Sequence, residues 1–95
     1  NLNFEPGTEQ LYCNSGYILL AEIVRRVSGK SLRVFAQEYI FAPLGMQNTH
    51  FHDNFKEIVE NRANGYAPKD GGGFQLDMSF HDFCGDGQLY TTIED

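Results

Sequence analysis

No long apolar run occurs in this 95-residue chain, which excludes a membrane-spanning helix within it. No positively charged start leads into an apolar core, so no secretory signal peptide is readable, and the compartment stays open. Basic residues are few: seven Lys and Arg stand against thirteen Asp and Glu, a formal charge of −6, and the bases are scattered. Phosphate backbones attract clustered cations, so nucleic acid is excluded as a partner. Cysteine is scarce as well. Cys13 and Cys84 could form one bridge, but two in a chain this short fall far below a disulfide scaffold, and both read as free small side chains. Internal repeats and low-complexity blocks are missing, and Lys69 to Gly73 is the one linker-like stretch.

What is present is the composition of a folded globular protein: 41% hydrophobic, 14% aromatic and 21% charged. The length suffices for one small domain. A domain of this size buries only about 60% of its unfolded surface, so a modest core and marginal stability are expected.

Pro6-Gly7 suits the centre of a type II turn, where proline presets φ and glycine accepts a positive φ. Asn14 or Ser15 is then placed to cap a helix running to about Ser28. Tyr17, Leu20, Val24 and Val27 form one apolar stripe, widened by Ile23, with Glu22 and Arg26 as an i,i+4 pair on the wet side. Gly29 suits the position after the helix and Lys30 its negative end. Ser31 is expected to cap a second helix with the apolar face Leu32, Phe35, Ala36, Tyr39 and Ile40, ended by Pro43-Leu44-Gly45-Met46. The short connection predicts an antiparallel pair. Beyond Gln47 the pattern weakens. His50 to Asp53 reads as extended or turning, Phe55 to Asn61 as a short helix, and Asn64-Gly65-Tyr66 as a turn into something extended. Phe74 to Phe80 alternates apolar and polar residues, the pattern of a half-buried strand or extended segment.

Thr92 followed by Asp95 reads as a helix start, a threonine cap with acids in the first turn. The chain stops there, so residues 1–95 are expected to be one partial domain, an internal piece of a longer protein.

Several stretches, in order, resemble the serine β-lactamase and penicillin-binding-protein superfamily on its class C and esterase side. Pro6-Gly7-Thr8 followed by Tyr12-Cys13-Asn14-Ser15-Gly16-Tyr17 resembles the family's Pro-Gly turn and Tyr-Ser-Asn box. Val24 to Lys30, Pro43-Leu44-Gly45-Met46 with Thr49 and Phe51, Asn64-Gly65-Tyr66, and Gly85 to Asp95 are similar to its later segments. Cys13 departs from the usual serine and Gln88 from the usual glycine. The resemblance implies an acyl hydrolase in which a serine attacks an amide or ester carbonyl. Tyr12 would be its proton-relay residue, and Asn14 would hydrogen-bond the substrate's amide, a task suited to a side chain with both donor and acceptor. It also implies a small-molecule or peptide acyl substrate (a β-lactam, a D-alanyl peptide or an ester), no cofactor, no metal, and a bacterial extracytoplasmic setting. For the fold it implies the central, mainly α part of an α/β β-lactamase/transpeptidase-like architecture, with short extended segments.

The nucleophile of that family sits in Ser-x-x-Lys, where helical spacing brings the lysine to the hydroxyl. None of Ser15, Ser28, Ser31 or Ser79 has lysine three residues on. Lys69-Asp70-Gly71 superficially resembles the third motif, Lys-Thr-Gly, but follows Pro68 and enters a triple-glycine loop. A phenol near neutrality needs about 4 kcal/mol of help from neighbouring cations to act as a base. No lysine is close to Tyr12 in sequence. The chain alone is therefore expected to be catalytically silent.

Each candidate has a plainer reading. Tyr12 and Asn14 could be a buried tyrosine and a helix cap, and the scaffold could serve as a non-catalytic binding or regulatory domain. His50 and His52, with His81, Asp82 and Cys84, could gather zinc if both histidines shared a strand face, or could be loop histidines on an exposed edge. Cys13 has no adjacent histidine to activate it. Gly71-Gly72-Gly73 lacks the Lys-Ser/Thr ending of a phosphate loop.

Overall fold

The structure is a computed structural model that describes residues 2–78 and 81–95. The chain enters through a tight turn. The Thr8 N–H donates to the Glu5 carbonyl at 3.2 Å, and Gly7 takes the positive φ of 84° that a type II turn requires at its third position. Helix α1 (Asn14–Ser28) follows, capped by neither Asn14 nor Ser15 but by Cys13, whose Sγ accepts from the Gly16 N–H at 3.3 Å. Cys13 is the last extended residue, so its side chain is the one that reaches the open N–H groups of the first turn. Gly29 closes the helix as expected, donating to the Arg25 carbonyl at 2.9 Å. The Glu22–Arg26 pair forms at 2.8 Å and Arg25 joins it.

Helix α2 (Leu32–Ala36) starts at the expected cap, with Ser31 Oγ accepting from Val34 N–H at 3.2 Å. It runs into a wider, π-helical turn over Gln37–Phe41, in which Ala42 N–H donates to the Gln37 carbonyl at 2.9 Å. Pro43, without an N–H to offer, ends the run. The two helices are in contact.

Among the described residues, the rest is loop with four short strands: β1 (His50–Phe51), β2 (Tyr66–Pro68), β3 (Phe74–Leu76) and β4 (Leu89–Tyr90). β1 pairs antiparallel with β4 in the register His50 to Tyr90, and β2 with β3 in the register Tyr66 to Leu76. Lys69–Gly73 is not a linker but the loop of the β2–β3 hairpin, closed by Lys69 N–H on the Gly73 carbonyl and Gly72 N–H on the Lys69 carbonyl, both 3.2 Å.

The expected mainly α fragment is not what forms: of the described residues, 27% are helical and 11% are in strands. Helical periodicity stops at Phe41, and seven of the ten glycines follow it. There the chain turns too often for helices to nucleate. Accordingly Phe55–Asn61 contains turns and no helix. The strand expected over 74–80 is limited to Phe74–Leu76 and is exposed rather than half-buried; residues 79 and 80 lie outside the described residues.

The core sits where the end of α2 meets β1 and β4. Ala36, Phe41, Thr49, His52 and Cys84 are buried, and the Phe41 and Phe51 rings lie 6.1 Å apart. The expected apolar stripe of α1 is not covered: Leu20 is 54% and Val27 83% exposed. In the π-helical turn after α2, Tyr39 and Ile40 are exposed as well. The radius of gyration is 16.7 Å, against ~12 Å for a compact domain of this length.

Candidate active site

Everything that positions Tyr12 and Asn14 is local. The extended Cys13, with φ −148° and ψ 140°, turns the chain into α1, leaving Tyr12 just outside the helix and Asn14 at its first position. Tyr12 is 67% exposed, its ring centroid 5.4 Å from that of Tyr17. Asn14 is exposed too. Because Cys13 performs the capping, the amide of Asn14 has no hydrogen-bond partner among the described residues. It stands at the positive end of a 15-residue helix, a place that favours the oxygen end of a bound dipole or anion. The two candidates thus flank one helix entrance, both open to solvent, and neither reads as a buried tyrosine or a cap.

No lysine stands beside them. Lys30, beyond the far end of α1, pairs with Glu38, Lys56 lies over the Phe55 ring, and Lys69 belongs to the hairpin loop. A nucleophilic role for Cys84 is also disfavoured: burial, then the Asp53 and Asp86 carboxylates, push its thiol up. Cys13 and Cys84 are both free.

The segment entering β4 packs on α1 one turn beyond the candidates. A Cβ built on Gly85 would lie 2.6 Å from the Tyr17 carbonyl oxygen and 3.2 Å from Ile18 Cα, so only glycine permits this approach. At the other end of the segment, Asp95 locks it to the loop before β1. Asp95 Oδ2 accepts from the Asn48 N–H at 2.8 Å and from Thr49 Oγ1 at 2.6 Å, and Thr49 and Thr91 hydroxyls meet at 2.7 Å. Thr92 Oγ1 accepts from Asp95 N–H at 3.4 Å, the bond expected of a threonine cap. Arg33 makes a further tie, forking to both oxygens of Glu57 at 2.6 and 2.9 Å and reaching Asp53 at 3.1 Å. Its guanidinium holds the Glu57 carboxyl below the usual range. Sequence reading missed Cys13 as the cap, and missed Asp95 and Arg33 as ties, since their partners lie 20 to 47 residues away.

A polar cleft of about 1140 Å³ opens on the far side, bordered by Arg33, His50, Arg62, Tyr90 and Thr91; Tyr12 and Asn14 do not line it. His50 and His52 turn toward each other at 3.2 Å, and His81 instead stacks on Phe83 at 4.5 Å. Among the described residues no three His, Cys, Asp or Glu side chains converge as a metal site. No described helix is long and apolar enough to cross a membrane.

Comparison with known proteins agrees with the order of these elements. The chain is 38% identical over 66 residues to a penicillin-binding protein of Bacillus subtilis (strain 168), covering 67% of this chain and 15% of that protein. It is 28% identical over 93 residues to the D-aminopeptidase of Brucella ovis, covering 98% of this chain and 18% of the relative. The chain thus spans less than a fifth of the length of these curated relatives. The crystal structure of a penicillin-binding protein from Bacillus halodurans superposes with a TM-score of 0.83 at 30% identity, over 96% of this chain and 29% of that one. The Beta-lactamase family model matches residues 1–95 from end to end, and the chain belongs to that family.

Proposed function

We propose that these residues are the central part of a serine acyl hydrolase, with Tyr12 as its proton relay and Asn14 as its substrate-binding amide. The observation that carries the reading is the helix entrance. It leaves Tyr12 and the unpaired Asn14 amide both exposed on either side of Cys13, which does the structural work of the cap. An exposed, unpartnered donor–acceptor pair at a helix N-terminus suits an acyl substrate's amide. The nucleophile of the longer protein would come from a Ser-x-x-Lys outside these residues, whose lysine would also supply the cation a relay tyrosine needs. The 95-residue chain alone would then be inactive. The relatives' names favour substrates with a D-amino acid or a β-lactam carbonyl.

The test uses the full-length protein, with turnover of a D-alanine anilide, a β-lactam and a p-nitrophenyl ester followed beside intact mass. Tyr12→Phe is expected to lower kcat about a hundred- to ten-thousandfold, the usual contribution of a positioned acid or base. Asn14→Ala is expected to lower kcat/KM about tenfold to a hundredfold, the loss of hydrogen bonds to a desolvated amide. No adduct and no turnover with any substrate would instead establish a non-catalytic scaffold.

A further inference from the structure

His52 is 1% exposed. Its Nδ1 lies 3.2 Å from Nε2 of His50, while its own Nε2 is buried with no hydrogen-bond partner. The His52 ring stacks on Tyr90 at 4.7 Å, and His50 meets the same ring edge-on at 5.5 Å. Arg62 covers Tyr90 at 4.8 Å. The backbone joins the same residues, since His50 pairs with Tyr90 across the ladder and His52 N–H donates to the Gln88 carbonyl at 2.7 Å.

Proton counting makes this cluster sensitive to pH. A neutral imidazole has one donor and one acceptor nitrogen, so two neutral rings satisfy the contact. If His52 donates from Nδ1, its buried Nε2 is a bare acceptor and no N–H is stranded. With one further proton, the bridging position still holds only one hydrogen, so His52 Nε2 must carry an N–H in a site with no acceptor. With two, N–H faces N–H and two cations lie ring to ring. The neighbouring charges relieve this only in part. The Glu57 and Asp53 carboxylates favour a charged His50, but burial and the Arg33 cation they pair with weigh more against it, and Arg62 lies over the Tyr90 ring.

We propose that the His50–His52 pair is a proton-operated latch, which holds β1 against β4 while neutral and releases the segment from Gly85 to Tyr90 when both rings are charged. That segment is the one whose other end rests on α1 at Tyr17 and Ile18. Burial first, then Arg33, then His52 push the His50 imidazole below its ordinary value. The folded state therefore binds fewer protons than the unfolded chain, and stability falls as pH drops from the unfolded histidine value of about 6.5 toward the lower folded one.

The test is an NMR titration of the full-length protein from about pH 8 to about pH 5, across the histidine range. The amide signals of Phe51, His52 and Tyr90 should leave their folded positions together, in a transition steeper than one proton. His50→Gln keeps an acceptor oxygen for the His52 Nδ1–H but removes one titrating ring, and should flatten the transition to a single proton. Strand signals that stay put through the range, or an unchanged transition in His50→Gln, would overturn the latch. If that variant does not fold, the ring ¹⁵N signals of the unaltered protein decide. A His50 titration below the ordinary value and coupled to the His52 ring supports the latch, and an independent, ordinary His50 refutes it.

Discussion

At the scale of single residues, the helix entrance turns on a sulfur where oxygen caps better. A thiol sulfur is a weak acceptor, and serine, aspartate and asparagine lead the preferences for this position. Cys13→Ser should therefore raise stability by about 0.5–1 kcal/mol, and Cys13→Ala should lower it by no more than about 1 kcal/mol. The check is the denaturant midpoint of the full-length protein at an unchanged slope. A loss of stability in Cys13→Ser would show that the thiol packs rather than caps. The place of Tyr12 and Asn14 at a helix entrance was legible because a turn and a helix start are local signals, and their candidacy for chemistry rested on the resemblance. Which residue capped the helix was not, because three adjacent polar residues compete for one N–H and the backbone angle at Cys13 decides among them.

At the scale of elements, α1 and the start of α2 follow their periodicity and their caps at Gly29 and Ser31. The β1–β4 pair does not announce itself. Its strands are two residues each and forty residues apart, too short for an alternation to register. What brings them together is a set of long-range ties: Arg33 to Glu57 and Asp53, Asp95 to Thr49, and Gly85 against α1. Gly85 is the most demanding of these, with φ +129° and no room for a Cβ. Gly85→Ala should cost about 2 kcal/mol or more, from backbone strain and overpacking together. A lowered unfolding midpoint of the full-length protein reads it; a midpoint within experimental error of the parent would mean that the segment does not pack on α1.

At the scale of the whole molecule, the chain exposes 7727 Å², against ~5,500 Å² for a compact monomer of its mass. Large apolar side chains stand in that surface: Leu19, Leu20, Ile23 and Val27 on α1 and Tyr66, Phe74 and Leu76 on the hairpin are all exposed. In the proposed hydrolase, the remainder of the protein covers these faces. The isolated 95-residue chain should accordingly bind an apolar dye such as ANS and unfold over a broad range, while the full-length protein does neither. A sharp, dye-silent transition of the isolated chain would show that five buried side chains suffice to hold it.

The sequence by itself determined the family-like order of motifs, the two helices with their stops, and the placement of Tyr12 and Asn14 at one helix entrance. Each of these rests on residues within a few positions of one another, where backbone geometry alone sets the outcome. The mainly α reading failed for the same reason, because periodicity says nothing of a glycine-rich half held by distant partners. Only the tertiary structure decided which faces are covered, that Asp95 and Thr49 close one loop upon another, and that His50 and His52 share a proton-sized gap beneath Tyr90. Those outcomes depend on residues tens of positions apart, and their meeting is a property of packing that no local window contains.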